Sequence, residues 1–166
     1  MDSTNGITLH DAQLLSQEGL LKDSCIIIEQ SQQSAYQAVN ETLIKRNWLL
    51  GMRIQHEVLK EQRAEYGEQV IKKLAADLVK RYGRGFSKSN LYLFVSFYVS
   101  HPDFFQSLTG KSKVVIDENI FQSLTGKSPI RLSWTHYSIT LQVEDTEARS
   151  WYEHEAATEM WSTRTL

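Results

Sequence analysis

Residues 70–91 read VIKKLAADLVKRYGRGFSKSNL, and this stretch decides the class of fold. Apolar side chains recur at Val70, Ile71, Leu74, Ala75, Leu78 and Tyr82, in steps of three and four that gather them on one face of an α-helix. Lys72, Lys73, Asp77 and Lys80 fall on the other face. Gly83 suits the left-handed residue that stops a helix. Arg84, Gly85 and Phe86 then make a turn, and Ser87 or Ser89 caps a second helix over Asn90–Ser100, ended by Pro102. Leu91, Phe94, Val95 and Tyr98 form the stripe that this second helix is expected to bury.

The chain reads as helical on both sides of this pair. A short helix is expected over Leu9–Leu21, and Asp23 or Ser24 can cap a longer one from Cys25 to about Leu59. Ile28, Tyr36, Val39, Leu43, Leu50 and Ile54 follow a helical stripe there, widened by Ile44, Trp48 and Leu49. Gly51 inside that helix lowers its stability relative to alanine, and a close helix–helix approach is the simplest reason for it. A polar link over Lys60–Gly67 leads into the helix quoted above. Toward the carboxyl end, Ser133 caps a helix over Trp134–Val143 and Asp145 caps another over Thr146–Met160, with Glu147 in its first turn where the helix dipole favours an acid. Ser162 reads as the cap of one more helix. The expected fold class is therefore all-α: a multi-helix domain with a long N-terminal helix and helix-turn-helix-like pairs.

Composition agrees. Of 166 residues only two are proline and eight glycine, too few breakers for a many-turned β architecture. The longest apolar runs, such as Cys25–Ile28, are far too short to span a bilayer. The polar, acidic start at Met1–Gly6 does not open a secretory signal. The single Cys25 excludes an internal disulfide and fits a reducing, cytoplasmic setting, and its apolar neighbours predict a buried, inert thiol.

Several catalytic readings fail on spacing. Residues 105–112 and 121–128 both read FQSLTGKS, but a phosphate-cradling loop needs a glycine five places before the glycine of GKS, where Phe105 and Phe121 stand. The repeat is expected to be a duplicated, irregular surface connection. His10, His56, His101, His136 and His154 show no HExxH spacing and one cysteine builds no Cys-rich zinc site, so neither a metal nor another cofactor is expected. His136, in the run Trp134-Thr135-His136-Tyr137, reads as a packed, hydrogen-bonded core residue. Nucleases of one widespread type end a strand in Asp/Glu-x-Lys. Two residues before each lysine stand Leu20, Leu43, Val58, Val70, Ile71, Leu78, Phe86, Thr109, Lys111 and Thr125, none of them acidic. No catalytic residue is assigned.

Charge is the feature left over. The formal net charge is −2, yet residues 41–90 hold eleven bases against six acids, while 1–40 and 91–166 are both acidic. Such a local basic surface suits phosphates. Lys72, Lys73, Lys80, Arg81 and Arg84 are candidate phosphate contacts, and Lys88, Ser89, Asn90 and Tyr92, at the start of the second helix, would lie nearest a groove if the pair docks as a helix-turn-helix. The turn is longer than the tight helix-turn-helix type, so an ordinary αα-hairpin with a solvated face describes the same residues. A third reading is a protein-interaction or dimerisation domain, in which the long helix pairs with its copy and exposes residues such as Trp48.

Longer stretches carry a resemblance. Tyr36-Gln37-Ala38-Val39-Asn40, Gly51 with Arg53-Ile54, Ala64-Glu65-Tyr66-Gly67, Tyr82-Gly83-Arg84-Gly85-Phe86-Ser87-Lys88-Ser89-Asn90-Leu91 and Phe97-Tyr98 form the first part of it. Leu132-Ser133-Trp134-Thr135-His136-Tyr137, Ala148-Arg149 with Trp151-Tyr152, Glu155-Ala156 and Trp161-Ser162-Thr163-Arg164 continue it. In order and spacing from about residue 34 onward they resemble the YhcG family of bacterial PD-(D/E)XK nuclease-like proteins. The resemblance implies an extension over 1–33 and an N-terminal, helical, DNA-binding domain over 34–166. In relatives a nuclease domain follows this region, and that domain is expected to be absent here. The doubled FQSLTGKS segment departs from the family pattern and receives no function.

Overall fold

A computed structural model describes residues 9–60, 64–105, 116–121 and 132–166; the side chains of 9–16, 59–60 and 64 fall outside that description. Its elements are α1 (Leu9–Lys60), α2 (Ala64–Tyr82), a 3-10 turn over Arg84–Phe86, α3 (Lys88–Ser100), α4 (Trp134–Thr140) and α5 (Thr146–Thr158). The fold is all-α, with no strand among the described residues. The chain divides into two compact units, Met1–Val39 and Asn40–Leu166.

In the first unit the helix of α1 is unbroken where two helices were expected. Ser24 caps nothing: its Oγ donates to the Leu20 carbonyl at 2.7 Å, the bond of a serine inside a helix. Leu20, Leu21, Ile27, Ile28, Tyr36 and Val39 are exposed, and so is Cys25, which corrects the expectation of a buried thiol. An apolar sequence neighbourhood buries a residue only if another element covers it, and among the described residues of this unit α1 is the sole element.

The second unit is built around α3. Leu91, Phe94 and Phe97 are its buried residues, with Val95 and Tyr98 only partly covered. On one side Ile44, Trp48, Leu49 and Met52 of α1 meet Phe97, Phe105, Ile120, Leu132, Tyr137 and Ala156. On the other, Ile54 meets Ile71 and Ala75 of α2 and Leu91 and Phe94 of α3. Trp134 packs against both groups. Trp48 is 1% exposed and donates through Nε1 to the His101 carbonyl at 2.9 Å, so it belongs to the core and is not offered to a partner. Gly51 lets α1 and α3 touch through their backbones: a Cβ there would stand 1.9 Å from the Phe94 carbonyl oxygen.

Local chemistry sets the element ends. Ser87 caps α3 by accepting from the Asn90 N–H at 3.4 Å, so the helix begins two residues before a cap at Ser89 would start it. Asp145 caps α5, accepting from the Glu147 and Ala148 N–H groups at 2.8 and 2.9 Å. His136 acts as expected of a packed histidine: Nδ1 meets the Ser133 N–H and hydroxyl, and Nε2 lies 2.9 Å from the Trp161 carbonyl. α4 and α5 stop at Thr140 and Thr158, earlier than expected, and Ser162 opens a single turn closed by the Thr165 and Leu166 N–H groups. Beneath the surface His101 Nε2 meets Glu153 Oε2 at 2.8 Å, while Thr140 Oγ1 donates to Glu153 Oε1 at 2.8 Å, tying α3, α4 and α5 together. Most of the two FQSLTGKS copies lies outside the described residues.

Candidate nucleic-acid interface

α2 is amphipathic, and its buried side fixes where its lysines point. Ile71 and Ala75 face the core with Leu74 and Leu78 beside them. At about 100° per residue, Lys73 and Lys80 stand in line two turns apart, with Lys72 and Arg81 flanking that line by roughly a quarter-turn on either side. All four are exposed, as is Arg84 in the following turn. Lys73, Lys80, Arg81 and Arg84 have no ion-pair or hydrogen-bond partner among the described residues. Three carboxylates, Glu65, Glu68 and Asp77, share this region with six bases between positions 65 and 88, so the surface stays net positive.

The turn into α3 is shaped by Gly83, whose φ of 92° with ψ of −177° is a conformation open to glycine and strained for other residues. The Gly83 N–H still donates to the Val79 carbonyl at 2.9 Å, and the 3-10 turn closes with Phe86 N–H to Gly83 and Ser87 N–H to Arg84. Tyr82, expected in the buried stripe, is 67% exposed, because the helix ends there and its ring leans on Phe86 at 5.9 Å between centroids.

The residues at the head of α3 are engaged in the fold. Lys88 Nζ pairs with Glu68 Oε1 at 2.7 Å and lies 5.8 Å from the Tyr92 ring centroid. The hydrogen bond from Lys88, then its charge, holds the Glu68 carboxyl below its usual range, with Lys72 adding to the effect. Asn90 Nδ2 donates to the Gly85 carbonyl at 3.0 Å, which braces the turn. Ser89 and Tyr92 are exposed; beyond them the solvent side of α3 carries Ser96 and Val99 and no charge.

Sequence reasoning passed over Arg46. It sits on α1, forty places before Phe86, yet its guanidinium carbon lies 5.0 Å from the centroid of that ring. Its Nε and Nη2 donate to Asn47 Oδ1 at 3.0 and 2.9 Å. Partial burial pushes its pKa below the ordinary arginine value. No local pattern marks it, since the contact joins segments far apart in the chain. Among the described residues no group of three His, Cys, Asp or Glu side chains is placed to hold a metal ion. No described helix is long and apolar enough to cross a membrane.

Comparison with known proteins adds what geometry alone does not. Residues 25–166 match the family described as the DUF1016 N-terminal domain. The chain is 33% identical over 155 residues to a protein of Escherichia coli (strain K12) named "Putative nuclease YhcG", a match covering 84% of this chain and 40% of that protein. No solved structure matches it. The chain thus spans well under half the length of that relative, and over nearly its whole described helical body it belongs to the DUF1016 N-terminal domain family.

Proposed function

We infer that this region is a non-catalytic DNA-binding module whose task is to position a nuclease domain of the PD-(D/E)XK type on its substrate. The observation that carries this reading is the line of Lys73 and Lys80 flanked by Lys72 and Arg81 and continued by Arg84, exposed cations with no ion-pair partner among the described residues, on a chain of net negative charge. Phosphate contacts of this kind supply affinity without reading sequence. Ser89 and Tyr92 lie where a groove would pass the head of α3, with Lys88 and Asn90 beside them. Lys88 must part from Glu68 before it meets a phosphate. The relative's name as a nuclease supports DNA as the polyanion and supports a catalytic part elsewhere in such proteins.

The test is fluorescence anisotropy with a labelled duplex at low salt. The unaltered chain should bind, and Lys73→Glu with Lys80→Glu should weaken binding at least tenfold, because reversing charge replaces attraction by repulsion at two phosphates. An unbound duplex, or a double variant of unchanged affinity, would overturn the reading.

A second reading, self-association through α1, is favoured by one observation: Leu21 and Ile28, seven residues apart, are both exposed, with Leu20 and Ile27 beside them. Sedimentation with and without DNA separates the two: a dimer indifferent to DNA speaks for pairing alone, a species that grows only with DNA for the first reading.

A further inference from the structure

The corner where α2 turns into α3 holds a cation of a different kind from the exposed lysines on α2. Arg46 is half-buried and has no carboxylate partner among the described residues. Its guanidinium is held on two sides, by the Phe86 ring at 5.0 Å and by Asn47 Oδ1, which accepts from both Nε and Nη2. Those bonds use the Nε–Nη2 edge. The other edge, formed by Nη1 and the outer hydrogen of Nη2, makes no hydrogen bond among the described residues, and its parallel N–H groups match two oxygens of a phosphate. Asn47 itself is fully buried, and its Nδ2 has no hydrogen-bond partner among the described residues. The amide thus keeps its oxygen on Arg46 while its own donors go without, which is costly for a buried group and fixes the guanidinium plane. Desolvation without a counter-charge disfavours a cation, and an anion hydrogen-bonded to that unused edge removes the penalty.

We propose that Arg46, clamped between Asn47 and Phe86, is a preformed seat for one phosphate group and anchors the register of the nucleic-acid backbone that Lys73 and Lys80 attract. This rests on the DNA reading above for the identity of the polyanion, while the seat itself is a statement about phosphate. Phe86 follows Arg84 in the same turn and touches Tyr82, so the seat adjoins the cationic end of α2.

Two measurements on the full chain test it. In the first, inorganic phosphate is titrated into the protein and thermal unfolding is followed, with sodium chloride at matched ionic strength as control. The unaltered chain should be stabilised by phosphate beyond the chloride control, and Arg46→Lys, which keeps the charge and the packing stem but loses the planar fork, should lose most of that shift while unfolding cooperatively. Arg46→Gln should lose all of it. In the second, duplex binding of both variants should fall roughly tenfold, with the salt slope reduced by about one in Arg46→Gln, which loses the charge. A phosphate shift equal to that of chloride, or one unchanged in both variants, overturns the seat. If phosphate stabilises through Arg46 but no duplex binds, the seat stands and the DNA reading falls. If duplex binding depends on Lys73 and Lys80 but is untouched in both Arg46 variants, the DNA reading stands and the anchor falls.

Discussion

Gly51 and Tyr137 show how much one position can fix. At Gly51 an added methyl would collide with the Phe94 carbonyl, a backbone atom that cannot swing aside, so Gly51→Ala has to separate α1 from α3. The expected effect is a loss of about 2 kcal/mol or more, read as a fall of roughly 5 °C in the melting temperature by circular dichroism. A change within one degree would mean that the two helices are not in backbone contact. Tyr137 is buried among Phe97, Phe104 and His101, and burial first, then the nearby Glu153 carboxylate, pushes its phenol above the ordinary value of 10.0. The folded protein therefore holds the proton more tightly than the unfolded chain. Stability from this group is complete below about pH 10 and is lost as pH rises past it. Between pH 9 and pH 11 the advantage of the unaltered chain over Tyr137→Phe should shrink by about 1 kcal/mol, measured from urea midpoints. A constant difference across that range would contradict the shift.

At the scale of elements, α2 and α3 divide the labour: one presents charge, the other fills the core. Glu68 on α2 holds Lys88 on α3 and also acts on Lys72. Glu68→Gln should therefore raise duplex affinity, by roughly two- to fivefold at low salt, since a solvent-screened surface pair holds its lysine only weakly. Weaker binding in that variant would mean that the pair orders the surface and does not mask it. The two helices, their turn and the exposed lysines of α2 were legible in the sequence because periodicity, Gly83 and Ser87 are local signals. Arg46 over Phe86, the Lys88–Glu68 pair and the His101–Glu153 link were not, since each joins residues brought near only by packing. Trp48 and Cys25 show the same limit in opposite directions. One looks available in the sequence and is covered by α3 and Phe105; the other looks covered and is exposed.

Taken whole, the molecule is weakly acidic, and eleven of its eighteen lysines and arginines fall within residues 41–90. Binding that rests on five such groups should be steeply sensitive to ionic strength, with log affinity falling against log salt at a slope of roughly −4. A slope near zero would leave hydrophobic or specific polar contacts as the source of any affinity. The net-negative stretches on either side of residues 41–90 in sequence repel a polyanion, which favours its lying along the basic residues. The bare thiol on α1 has a practical corollary for solution work. As the chain's one cysteine, it gives a dye or spin label a single attachment point without mutagenesis. In air the same sulfur can couple two chains covalently, so self-association counts as non-covalent only if it survives a reductant.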